Sequence, residues 1–271
     1  MIFERIDGRW SRLGLHWLGR RSNLAAGLRK PFVRPALGPW LDRGRGVSFP
    51  PHGRPKQLVV FLHGVNGCGD AWMWLADVWR KYLPDAAFVF PDGIERVSPG
   101  AFRWWNLHSF DRRELRAGVR RATPRFQQFL EQIQDALGIA PEATIVGGFS
   151  QGAMLALHVG ERSRPALAGI LAYGGMAAGL PQDRAGVRSA PPIFLYHGTH
   201  DQIVPFSAFG STNAQLRQLG FEVVEYAAQG VDHTIDLQGA ECAGALMQRW
   251  LHDGEQAAVP DRAAPDSGER P

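Results

Sequence analysis

The sequence predicts an α/β fold with a mostly parallel central sheet and helices on both faces. Three observations carry that expectation. Short runs of consecutive apolar, often β-branched residues recur along the chain, the pattern of strands covered on both sides. Segments with helical apolar spacing alternate with them, as in the crossover units of a parallel sheet. Finally, His63, Ser150, Asp201 and His233 all fall at or just past the carboxyl ends of expected strands, where open parallel sheets gather ligand groups.

Composition narrows the class. A chain of 271 residues that is 45% hydrophobic is long enough for one large core with peripheral additions. Cys68 and Cys242 cannot build a disulfide-rich scaffold, and neither belongs to a Cys-x-x-Cys zinc motif. No apolar run reaches transmembrane length. Charges at Glu4, Arg5, Asp7, Arg9 and Arg12, without a long apolar stretch, argue against a secretory signal, so a cytoplasmic protein is expected. The net charge of +4 is unevenly placed: residues 1–54 hold eleven Arg or Lys against three Asp or Glu. With Trp10, Trp17 and Trp40, this arm suggests weak contact with an anionic membrane surface. A nucleic-acid partner is not expected, and the oligomeric state is not legible.

The elements follow in order. Residues 1–46 are expected to form a basic extension, broken by Gly14, Gly19, Gly27, Pro31, Pro35 and Pro39. A catalytic domain spans 47–252. Residues 58–62 form the first continuous apolar strand and run into the glycine-rich loop 63–70, which has no lysine and no phosphate-loop motif. A helix is expected over 72–82, closed by Pro84, then a strand at 87–90. The aromatic cluster at 102–106 falls in a loop, where it either closes the domain surface or walls a cleft. Thr123 and Pro124 read as the N-cap and first residue of a helix. That helix carries Phe126, Phe129, Leu130, Ile133 and Leu137 on one face and ends at Gly138. Strands are expected at 144–149, 167–173, 193–196 and 221–226. Helices are expected from the serine turn to about residue 160, over 206–219, and over 235–251 with a break at Gly239. Residues 253–271, rich in Pro, Ala, Gly, Asp and Glu, are expected to be disordered.

The most informative stretch is Gly148-Phe149-Ser150-Gln151-Gly152. A Gly-x-Ser-x-Gly pentad entered by a strand and left by a helix has the form of a nucleophile elbow. A serine needs a base within hydrogen-bond reach, and the base needs an orienting acid. His233, in a loop after the last expected strand, is the candidate base, and Asp201, past another strand end, the candidate acid. Asp232 and Asp236 are rivals too close to His233 in the chain to orient it. The oxyanion donors are expected to be the backbone N–H groups of Gln151 and Val65. His63 is read as bracing that loop rather than as the base. His197 and His200 lie near Asp201, yet their spacing matches no zinc helix motif, so neither a metal nor a cofactor is expected. Trp104, Trp105, Leu107 and Met176 are the candidate substrate-pocket walls.

With these motifs in hand, residues 56–252 resemble the phospholipase/carboxylesterase family of α/β-hydrolases, which includes bacterial carboxylesterases and acyl-protein thioesterases. The marks are Phe61-Leu62-His63-Gly64, Gly148-Phe149-Ser150-Gln151-Gly152-Ala153, His197-Gly198 with Asp201 and Val204-Pro205, and a terminal Gly-x-x-His. The resemblance implies an α/β-hydrolase fold and a serine hydrolase that cleaves carboxylic esters or thioesters through an acyl-enzyme, its substrate a small-molecule ester. Two stretches depart from the family pattern. Val65-Asn66-Gly67-Cys68-Gly69-Asp70 stands where the family often has Leu-Gly-Asp, and Asn106 stands where Asp is usual. Two other functions remain open to the sequence: a lysophospholipase or lipase assisted by the basic arm, and an inactive α/β-hydrolase used as a binding module.

Overall fold

A computed structural model of the chain describes residues 46–50 and 53–257. The expected membrane contact of the basic arm, and all but the first residues of the expected disordered tail, lie outside the described residues. The strands, in chain order, are β1 (Val47–Ser48), β2 (Gln57–Leu62), β3 (Ala86–Val89), β4 (Glu95–Ser98), β5 (Ala101–Arg103), β6 (Thr144–Phe149), β7 (Gly169–Tyr173), β8 (Ile193–Gly198) and β9 (Val223–Ala228). The helices are α1 (Trp74–Trp79), α2 (Arg112–Leu137), α3 (Gln151–Gly160), α4 (Ser207–Gln218) and α5 (Leu237–Ala257).

Seven strands pair in the order β1-β3-β2-β6-β7-β8-β9, and β4 and β5 form a separate hairpin. Every pair in the main sheet is parallel except β1 with β3. This is the expected α/β-hydrolase architecture. The continuous apolar runs exist because each strand is covered twice. Leu58, Val60 and Leu62 join the layer containing α2, α3 and α4 residues such as Val119, Phe126, Leu155 and Leu216. Val59 and Phe61 join the opposite layer, with Trp79 of α1 and Ala240, Met247 and Trp250 of α5. The two-residue alternation of strand side chains sorts one apolar run into two cores.

Some elements differ from expectation. The expected helix over 72–82 is a 3-10 turn, Gly69–Trp72, followed by the short α1. Gly69 is pinned there because its N–H donates to Asp92 Oδ1 at 2.9 Å. The last helix runs to Ala257, past its expected end at residue 251.

The largest correction concerns α2. It begins at Arg112, not at Pro124, and Pro124 lies inside it. Asp111 is the true N-cap: its Oδ1 accepts from the N–H groups of Arg113 at 2.9 Å and Glu114 at 3.2 Å. An interior proline removes one helix hydrogen bond and costs about 3 kcal/mol. The offset is packing, since Leu115, Val119 and Ala122 extend the buried face that Phe126 and Phe129 continue, each large side chain contributing about 1.5–3 kcal/mol. Thr123 does not cap; its hydroxyl donates to the Val119 carbonyl at 2.7 Å. Gly118 is needed at this place, because a Cβ there would lie 2.2 Å from the Trp105 indole.

Candidate active site

Ser150 stands in the turn between β6 and α3 with φ 53° and ψ −114°. Asn66 and Ser150 are the two non-glycine residues with positive φ among the described residues, and both fall in this region. Such a conformation costs roughly 1–3 kcal/mol and persists only where the surroundings impose it. Here they do. The Ser150 N–H donates to the Tyr173 carbonyl at 2.8 Å. A Cβ on Gly148 would fall 2.4 Å from the Gly152 carbonyl carbon, and one on Gly152 would fall 2.2 Å from the Leu62 oxygen. The glycines of the pentad are therefore fixed by backbone meeting backbone. The strand-to-helix turn places Ser150 beside the first turn of α3, whose N–H groups have no partners within the helix and carry the positive end of its dipole.

The loop after β2 lies across this turn. A Cβ on Gly64 would be 3.3 Å from Ser150 Cβ, so the backbone leading into Val65 packs directly on the serine. Val65 itself is 37% exposed. His63 is buried and braces the loop. Its Nδ1 donates to the Gly64 carbonyl at 2.6 Å, its Nε2 accepts from the Gly93 N–H at 2.8 Å, and its own carbonyl accepts from the Trp104 indole at 2.8 Å. Burial lowers its pKa to about 4, which keeps the ring neutral and suited to one donated and one accepted bond.

Gln151 adds a brace that the sequence did not reveal. Its buried side-chain amide accepts from the Trp104 N–H and donates to the Trp105 carbonyl, both at 2.9 Å. The aromatic segment is thus tied to the serine turn. Trp104 and Trp105 are only 1% exposed, so their rings lie in the core. Leu107 and Met176, the other expected pocket walls, are half-buried. Met176 also lines a cavity of about 870 Å³ with Leu115, Leu180 and Arg112. Its neighbour Gly175 adjoins the serine turn, since a Cβ there would sit 3.0 Å from the Ser150 carbonyl.

Asp201 follows β8 and is 4% exposed. Its Oδ1 accepts from the N–H groups of Ile203 and Val204, both at 2.9 Å, which fixes the carboxylate plane. Its Oδ2 lies 2.6 Å from His233 Nδ1. A carboxylate only accepts, so the proton of this contact sits on His233 Nδ1. The His233 ring packs on Phe149 at 4.5 Å between centroids. It also lies against Gly174, next to the Tyr173 carbonyl that holds Ser150, so serine and histidine share one neighbourhood. Asp236 is turned away as the cap of α5, accepting from the Gly239 N–H at 2.7 Å.

The structure also places His197 beside Asp201. Its buried Nε2 donates to the Val204 carbonyl at 2.8 Å and lies 3.2 Å from Asp201 Oδ2. Four residues separate them at a strand end, a spacing with no sequence signature of contact. His200 is exposed. Among the described residues no group of three or more His, Cys, Asp or Glu is arranged to hold a metal ion. No helix of the described residues is long and apolar enough to cross a membrane.

The Phospholipase/Carboxylesterase family matches residues 48–250. Acyl-protein thioesterase 1 of Schizosaccharomyces pombe is 29% identical over 189 residues, covering 65% of this chain and 83% of that protein. Acyl-protein thioesterase 1 of Saccharomyces cerevisiae is 31% identical over 186 residues, covering 63% and 81%. Among solved structures, esterase PE8 superposes with a TM-score of 0.70 at 32% identity, covering 76% of this chain and 98% of its own. A phospholipase/carboxylesterase from Dyadobacter fermentans gives 0.60 at 25% identity, covering 74% and 94%. The chain belongs to the phospholipase/carboxylesterase family, and with that it carries the general serine-hydrolase, esterase-type activity of the α/β-hydrolases.

Proposed function

We propose that this member of the phospholipase/carboxylesterase family hydrolyses carboxylic esters through an acyl-enzyme on Ser150. Ser150 Oγ attacks the acyl carbon while His233 Nε2 takes its proton. The oxyanion of the tetrahedral intermediate accepts from the backbone N–H groups of Gln151 and Val65, which become fully engaged only as charge develops. His233 then returns the proton to the leaving alkoxide. A water, deprotonated by the same ring, attacks the acyl carbon, and the ring passes that proton to Ser150 Oγ as the acid leaves. Asp201 keeps the proton on Nδ1 and stabilises the imidazolium that forms. The observation that carries this reading is the 2.6 Å contact of His233 Nδ1 with Asp201, on a ring packed against the strained serine turn.

The substrate in this reading is a small-molecule carboxylic ester. A second substrate class, thioesters, is favoured by the curated relatives named acyl-protein thioesterase. A thiolate leaving group asks for less protonation than an alkoxide, and the same residues serve both. Turnover of p-nitrophenyl esters from acetate to palmitate and of matched acyl thioesters, each with wild type and Ser150→Ala, tests the reading. Ser150→Ala is expected to bring every active substrate to background. Turnover that survives in Ser150→Ala contradicts the nucleophile.

A further inference from the structure

A second concave site lies toward the far end of α3. His158 is eight residues along from Ser150, a separation of about 12 Å at 1.5 Å per helical residue. It is 1% exposed and lines a pocket of about 220 Å³ with Arg116, Arg120, Arg162 and Arg188. No carboxylate lines this pocket. Four guanidinium groups around one concavity repel one another unless an anion lies between them, and a concave low-dielectric wall focuses their field.

The partners of these groups are unequally filled. Arg162 is engaged: its Nε lies 2.7 Å from Glu161 Oε1 and donates to His158 Nε2 at 3.1 Å. Arg116, Arg120 and Arg188 make no salt bridge to a carboxylate among the described residues. Because His158 Nε2 accepts from Arg162, the neutral ring carries its proton on Nδ1. That donor faces the Gly179 backbone and lies 3.8 Å from Glu161 Oε1, so it belongs to the inner wall of the pocket.

We propose that this pocket is a binding site for a phosphate-bearing anion. The guanidinium forks of Arg116, Arg120 and Arg188 match phosphate oxygens in geometry and charge, and Arg162, held by Glu161, closes the inner wall. The pocket adjoins the cavity beside Met176 through Arg116 and Gly179, which line both. The site stands apart from the proposed reaction, since none of its residues is in the serine machinery.

Calorimetric titration of the full chain with inorganic phosphate and with glycerol 3-phosphate tests the site. A parallel arm measures sedimentation with phosphatidylcholine vesicles with and without phosphatidate. The comparison variant is Arg116→Gln/Arg120→Gln, whose changed side chains are exposed. Saturable binding of a free phosphate, weakened roughly tenfold or more in the variant, is expected from the loss of two charge-assisted contacts. Phosphatidate-dependent sedimentation lost in the variant, without binding of either free phosphate, supports the site and assigns it to a lipid headgroup. Turnover of a neutral short ester should be unchanged in the variant. Absence of binding in both arms, or binding equal in wild type and variant, overturns the proposal.

Discussion

Two histidine–carboxylate pairs lie near opposite ends of α3, and they are built in opposite ways. Near its start, Asp201 receives two backbone N–H groups on one oxygen and His233 at 2.6 Å on the other. Near its end, Glu161 and His158 are 3.8 Å apart, and neither carboxylate oxygen has a hydrogen bond of regular geometry. Burial consequently raises Glu161 to about 7 and lowers His158 to about 4. A carboxylate and an imidazole make a short, backbone-anchored contact in one place and, in the other, stand 3.8 Å apart with the carboxylate resting on Arg162. What differs is the number of N–H groups the backbone delivers to the carboxylate.

The largest expected effects come from breaking the first pair. His233→Ala should lower kcat for a p-nitrophenyl ester on the order of 10^4-fold or more, with intact far-ultraviolet circular dichroism. Asp201→Asn should cost about 10^3–10^4-fold, because an amide no longer holds the ring with its proton on Nδ1. Glu161→Gln serves as the counterpart in the second pair and should change kcat by less than about twofold. Equal losses in Asp201→Asn and Glu161→Gln would erase the distinction between the pairs.

A smaller effect is expected at the turn itself. Gly152→Ala forces a methyl group against the Leu62 carbonyl and should destabilise the fold by about 3 kcal/mol, as overpacking between rigid backbones does. Urea denaturation reads this directly, and an unchanged midpoint would show that the turn is looser than its geometry.

A comparable effect, spread over pH, is expected in the second pair. Glu161 has a folded pKa raised from 4.5 to about 7, so its contribution to stability is complete below 4.5 and is lost as pH rises through about 7. His158 runs the other way: its pKa falls from 6.5 to about 4, so stability present above 6.5 is lost as pH falls through about 4. Between 4.5 and 6.5 the two slopes oppose. Glu161→Gln removes the first, so its stability relative to wild type should climb by up to about 3 kcal/mol between pH 4.5 and 7. Denaturation midpoints across that range test it, and a constant offset would show that Glu161 stays ionised throughout.

The two pairs also differ in how readable they were. The pentad, the strand that feeds it and the order Ser150, Asp201, His233 follow from local patterns, since a buried parallel strand leaves a continuous apolar run and a tight turn leaves glycines. His197 at Asp201, the Gln151 amide clamp and the arginine pocket depend on contacts between distant segments, which periodicity does not carry. The start of α2 was hidden for a related reason. Thr123-Pro124 has the local chemistry of a helix start, whereas the true first turns bury the small residues Gly118 and Ala122 amid exposed arginines. The Trp105 ring lying on Gly118 is one of the distant contacts that bury that face. Trp104 and Trp105 present the same problem, because an aromatic cluster in a loop reads alike whether it lines a cleft or fills a core.

Labelling by a fluorophosphonate probe, mapped by peptide mass spectrometry in wild type and His233→Ala, tests the serine relay most directly. Stoichiometric modification of Ser150 in the wild type, at a rate that collapses in His233→Ala, is the expected result. Modification of another residue, no modification of an enzyme that still turns over esters, or an undiminished rate in His233→Ala would contradict it.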